Sequence, residues 1–211
     1  MQTVTLISTV HKKLGKCDSN ELCNILEEIR PEVVFLEALE STYSDYEQNN
    51  YHNFGIYHNK LELAAIQKYE ERFPIKYIPV LDQGLPDSFH TKYNKLDGFR
   101  ELERLLFDHN CIAKEGGFNY LNSKECSVLN EKIREVERYL LNDNELEKLV
   151  SEDINEYENT MIRNVYSYCR KNPFNTGVFM CGVAHRNSII NKIERFNNKE
   201  KINLNWKIYG T

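Results

Sequence analysis

Short apolar runs alternate with amphipathic stretches through the first eighty residues. Val4–Thr9 is β-rich and apolar. Asp18 followed three residues later by Glu21 forms a capping box, and Leu22, Ile25, Leu26 and Ile29 then fall on one helical face. Pro31 closes that helix, and Val33–Leu36 is a short, fully apolar strand ending at Glu37. A strand–helix–strand unit of this length predicts two parallel strands lying side by side. Residues 39–58 are rich in tyrosine, asparagine and acids without a clear period, which predicts a loop or an irregular helix. Within it, Tyr43, Tyr46, Tyr51, His52, Tyr57 and His58 form a candidate substrate-facing aromatic segment or a partly packed surface loop. Lys60–Arg72 reads as a helix stopped by Pro74, and Lys76–Leu81 as a third strand ending in the turn Asp82-Gln83-Gly84.

From Leu85 to about Asn172 helical periodicity takes over, near Lys95–Asn110, Ser123–Leu141 and Glu145–Arg170, with a turn expected at Gly116-Gly117. The strand pattern resumes at Gly177–Cys181, followed by the turn Gly182–His185 and a helix through about Phe196. Ile202, Leu204, Trp206 and Ile208 then alternate with polar residues, as in a half-exposed edge strand. The pattern predicts one α/β domain over 1–211, with a mainly parallel central sheet flanked by helices. Residues 85–172 would form a helical insertion or cap over the carboxyl ends of the strands.

Composition narrows the function classes. With 41% hydrophobic and 28% charged residues the chain is globular rather than disordered. A net charge of −5 leaves no basic stripe to neutralise phosphates, so no nucleic-acid partner is expected. No apolar run approaches the ~20 residues of a membrane span, and the start lacks the basic-then-apolar order of a signal peptide. Six cysteines without a CxxC pair then read as reduced thiols in a cytoplasmic protein. Neither a Walker A loop, nor GxGxxG, nor a Gly-x-Ser-x-Gly elbow occurs, which disfavours nucleotide chemistry and an ordinary serine hydrolase. A homo-oligomer is compatible with the sequence.

Four strands deliver a polar group at the carboxyl end: His11, Glu37, Asp82 and His185. Ligands of open parallel sheets bind outside those ends. Two neutral imidazoles and a carboxylate are a common ligand set for Zn²⁺, Mn²⁺ or Co²⁺. The same three groups can act without metal as base and orienting acid. Each also has a plainer reading: a hydrogen-bonded structural histidine, a turn-capping Glu37, an Asx-turn Asp82.

Ser8-Thr9-Val10-His11, then Arg30-Pro31-Glu32-Val33-Val34-Phe35-Leu36-Glu37, then Gly182-Val183-Ala184-His185 follow one another in a telling order. This order resembles the superfamily of TraB/PrgY-type pheromone-shutdown proteins, TIKI metalloproteases, ChaN-like haem-binding proteins and erythromycin esterases. The helical segment Tyr157–Val165 is similar to the family's Arg-(Asp/Asn)-x-x-Met helix, with Tyr157 in place of its arginine. Ser8 stands for the family's first glycine, and Asp82-Gln83 for its Asp-Arg. The resemblance implies a catalytic or metal-binding site of His11, Glu37 and His185. It puts Asp82, Tyr157 and Glu158 on the substrate side, with Arg163 or Arg186 standing in for the missing arginine. It also implies hydrolysis of a peptide, ester or amide bond in a peptide or small molecule, through a divalent metal (Mn, Co or Zn) or a metal-free histidine base. The alternative is a non-enzymatic module binding haem iron, a peptide or a partner protein, and a third is a purely structural interaction protein.

Overall fold

The structure is a computed structural model and describes residues 1–41, 57–200, 202 and 204–211. Five strands, β1 (Thr3–Thr9), β2 (Val33–Leu39), β3 (Lys76–Leu81), β4 (Thr176–Gly182) and β5 (Asn205–Ile208), form one all-parallel sheet in the order β3-β2-β4-β1-β5. The expected α/β class is thus observed, and β5 lies at the edge as its alternation predicts. One pairing differs from expectation. β1 and β2 are parallel but not adjacent, because β4 lies between them and bonds to both. A strand paired on both edges and covered on both faces must be apolar throughout. Gly177–Cys181, buried along its whole length, meets that requirement.

Alternation along each strand separates two layers. Ile7, Val34, Leu36, Val178 and Met180 pack with α1 (Ser19–Ile29) and α2 (Leu61–Glu70). Val4, Leu6, Phe35, Phe179 and Cys181 pack with the other layer, which is made by α6 (Asn144–Lys171) and α7 (Arg186–Glu200). Asp18 caps α1 as predicted, its carboxylate accepting from the N–H groups of Asn20 and Glu21. No helix among the described residues is long and apolar enough to cross a membrane.

Residues 85–172 are helical, in α3 (Asp87–Leu96), α4 (Arg100–Leu121), α5 (Lys124–Leu141) and α6. Leu96, Leu102, Ile133 and Leu141 tie α3, α4 and α5 into a small satellite core. The ends of the segment belong to the main layers instead. Phe118 and Leu121 join the α1 side, and Met161, Ile162, Val165 and Cys169 join the α7 side. At Gly116-Gly117 the expected break is present: α4 consists of two helices joined across a kink at the non-helical Gly117. Gly117 takes φ +60°, ψ −151°, and a Cβ there would lie 2.7 Å from the Glu21 carboxylate oxygens. Glu21 accepts from the Phe118 N–H and so caps the second half of the kinked helix.

Candidate functional site

The carboxyl ends of β1, β2 and β4 meet at one small residue, Gly182. A Cβ built on Gly182 would lie 3.4 Å from Glu37 Oε2, 3.6 Å from His11 Nε2 and 3.7 Å from His185 Cδ2. The three sequence-predicted residues therefore do converge, each within ordinary contact distance of a Cβ at 182. Their placement follows from local structure. His11 lies in a bend two residues beyond β1. The β2–β3 register shifts between Leu36 and Leu39, and such an irregularity re-aims a side chain where Glu37 stands. His185 closes a single 3-10 turn, Val183–His185, between β4 and α7.

Each histidine is oriented through Nδ1 by its own buried glutamate. Nδ1 of His11 is 3.0 Å from Oε1 of Glu62 in α2, which also accepts from the Thr9 hydroxyl at 2.9 Å. Nδ1 of His185 is 2.9 Å from Oε1 of Glu158 in α6. The other oxygen of Glu158 accepts from Lys192 Nζ at 2.5 Å and from the Ser188 hydroxyl. With Nδ1 engaged in this way, Nε2 of each ring is the atom turned to the centre. That of His185 is 3.5 Å from Glu37 Oε1. Glu37 is held on both sides, its Oε2 accepting from the Gly182 N–H at 2.6 Å and its Oε1 from the Tyr157 hydroxyl at 2.9 Å.

The electrostatics follow these contacts. The hydrogen bond that His11 donates to Glu62 raises the pKa of His11 above the usual imidazole value, outweighing partial burial. Burial pushes the Glu158 carboxyl upward, but the bonds from His185, Lys192 and Ser188 overcome it and hold that carboxyl below its ordinary range. Burial, reinforced by the neighbouring Glu37, keeps the Tyr157 hydroxyl protonated well beyond the normal tyrosine range. His11 is the accessible member, with its side chain 59% exposed against 10% for His185.

The other expected residues divide. Asp82, just past β3, is tethered by the Asn164 amide at 2.9 Å and lines a cavity of about 610 Å³. Tyr157 lines the same cavity, and its ring lies against His185 with centroids 5.5 Å apart. Glu158 belongs to the cluster as the partner of His185, not to the cavity. Arg186 turns away altogether. It is buried and spends four N–H groups on Ser8 Oγ, Asn122 Oδ1, and the carbonyls of Asn122 and Tyr209, which commits both terminal nitrogens away from a substrate anion. Arg163 lines the cavity but is paired with Glu156 at 2.7 Å. Of the aromatic segment, residues 42–56 lie outside the described residues. Tyr57 bonds to Glu71, and the His58 N–H to Gln67.

Sequence reading misses Glu62, Thr9, Ser188 and Lys192. Only Glu62 carries a signal, as a lone acid in the otherwise apolar run Leu61–Ile66. A carboxylate on Nδ1 is the support that metal-ligating histidines use. Even so, no group of three His, Cys, Asp or Glu among the described residues is arranged to hold a metal ion. Each oxygen of Glu37 accepts one hydrogen bond, from Gly182 and from Tyr157. The six cysteines are unbridged, and burial pushes the Cys17 thiol up to about 12 and Cys126 to about 11, so these two are poor thiolate ligands. Comparison with protein-family models, curated proteins and solved structures finds no match for this chain.

Proposed function

We propose that this chain hydrolyses an ester, amide or peptide bond at the His11–Glu37–His185 cluster, by acid–base chemistry of its own side chains. The observation that carries this reading is the convergence on Gly182, with each ring tied through Nδ1 to a buried glutamate. Such an arrangement serves one tautomer and one orientation, which catalysis needs and a plain core histidine does not. His11, exposed and made more basic by Glu62, accepts a proton at Nε2 from a water that Glu37 orients. The water oxygen bonds to the carbonyl carbon while the C=O electron pair moves onto oxygen. Collapse of the tetrahedral species breaks the bond to the leaving nitrogen or oxygen, which takes the proton back from the His11 imidazolium. His185, opposite, contacts the reacting group through Nε2.

The cavity beside the cluster is of a size that suits a small organic ligand or a short peptide segment. Its lining carries Asp82, Asp87, Asp153 and Glu156 against Arg163, so it favours neutral or amine-bearing substrates over anionic ones.

Turnover of a panel of p-nitrophenyl esters and aminoacyl p-nitroanilides tests the reading. His11→Ala is expected to lose about 10²-fold or more in kcat/KM, the usual share of a general base. Equal rates for wild type and His11→Ala would sink the proposal. Turnover abolished by a chelator and restored by Mn²⁺, Co²⁺ or Zn²⁺ would reassign the three residues to a metal.

A further inference from the structure

Given the hydrolytic reading above, we infer that the Tyr157 hydroxyl is the hydrogen-bond donor that takes up the oxyanion formed during hydrolysis. Tyr157 belongs to both halves of the site. Its hydroxyl is 2.9 Å from Glu37 Oε1, its ring lies against His185, and its side chain forms part of the cavity wall. Tyr157 is the residue of the cavity wall that also touches Glu37 and His185. A carbonyl oxygen arriving there meets an O–H donor within a small rotation of its present acceptor. Glu37, released from Tyr157, keeps the Gly182 N–H on its other oxygen and so stays in place.

Three cations of the surrounding helices are committed elsewhere. Arg163 is paired with Glu156, Arg186 is spent on Ser8, Asn122 and Tyr209, and Lys192 serves Glu158 and the Asn155 carbonyl. A neutral donor also suits this position chemically. Burial beside Glu37 keeps the phenol protonated, so it donates a hydrogen bond without transferring its proton. A donor already fixed in a partly dry site needs little reorganisation as charge develops on the carbonyl oxygen. Charge balance is simple: the electron pair that leaves the C=O bond rests on an oxygen bonded to the Tyr157 O–H, and the proton from water rests on His11.

Tyr157→Phe removes only the hydroxyl and leaves the ring on His185. Removing one oxyanion donor is expected to lower kcat by about 10²-fold while KM stays unchanged. Affinity for a phosphonate monoester, the tetrahedral anionic mimic, should fall in parallel with kcat/KM, and by the same factor in a Glu37→Gln background. Loss of the Tyr157→Phe effect in that background would show that the hydroxyl acts only by positioning Glu37, which overturns the inference. Wild-type-like kcat and phosphonate affinity in Tyr157→Phe overturn it as well, whereas full activity of His11→Ala would instead overturn the hydrolytic reading on which it rests.

Discussion

His11 and Glu62 hold the clearest pH signature in the molecule. A histidine whose folded pKa is raised by a carboxylate contributes stability that is fully present below about pH 6.5 and fades as pH rises through the folded value. In the proposed mechanism the base must be neutral, so the acid limb of kcat/KM should lie above the ordinary imidazole value. Glu62→Gln keeps an acceptor for the Nδ1–H but removes the charge. It should therefore move that limb to lower pH, together with the His11 titration followed by NMR, and narrow its stability deficit as the medium becomes alkaline. A limb that stays in place while the NMR titration moves would assign the rate-controlling proton to another group. These residues also show what the sequence discloses at this scale. His11, Glu37 and His185 are legible because each follows or ends an apolar strand. Glu62 and Lys192 are not, since a helical acid or lysine looks the same whether it orients a ring or faces water, and only the packing decides.

Elements were legible wherever period and punctuation agreed. Asp18, Ser123 and Asp143 each cap the helix that follows them, and the expected α5 and α6 ranges agree with the observed ones within a residue or two. Gly116-Gly117 reads as a break and is one, but the Glu21 carboxylate that lies against Gly117 comes from a distant part of the sequence and carries no local signal. Two glycines separate the causes. Gly98 has φ +81° with open space around it, so Gly98→Ala adds backbone strain alone, about 1–2 kcal/mol. Gly117 has φ +60° and would also drive a methyl group against the Glu21 carboxylate, so Gly117→Ala should destabilise by more. Urea denaturation of the two variants checks the order; equal losses would mean that Glu21 moves aside freely.

At the scale of the whole molecule, sheet order is what assembles the site. Had β1 and β2 been neighbours, as a local strand–helix–strand reading expects, nothing would stand between His11 and Glu37. With β4 inserted, its terminal Gly182 becomes the point on which three distant segments close. That order is not written in any one stretch, because it depends on which strand can be apolar on both faces. The same topology leaves β5 as a four-residue edge strand held by β1 alone, and Arg186 secures it. The buried guanidinium links the end of β1 through Ser8, the end of α4 through Asn122 and the tail through the Tyr209 carbonyl, each bond between 2.8 and 3.2 Å. Arg186→Leu removes the donors but leaves buried acceptors behind, a loss of about 3–5 kcal/mol. Because β5 pairs with one strand only, hydrogen exchange should accelerate first at Trp206–Ile208 and last at Val178–Cys181, where β4 keeps both neighbours. Uniform acceleration across all five strands would mean instead that Arg186 supports the sheet as a whole and not its edge.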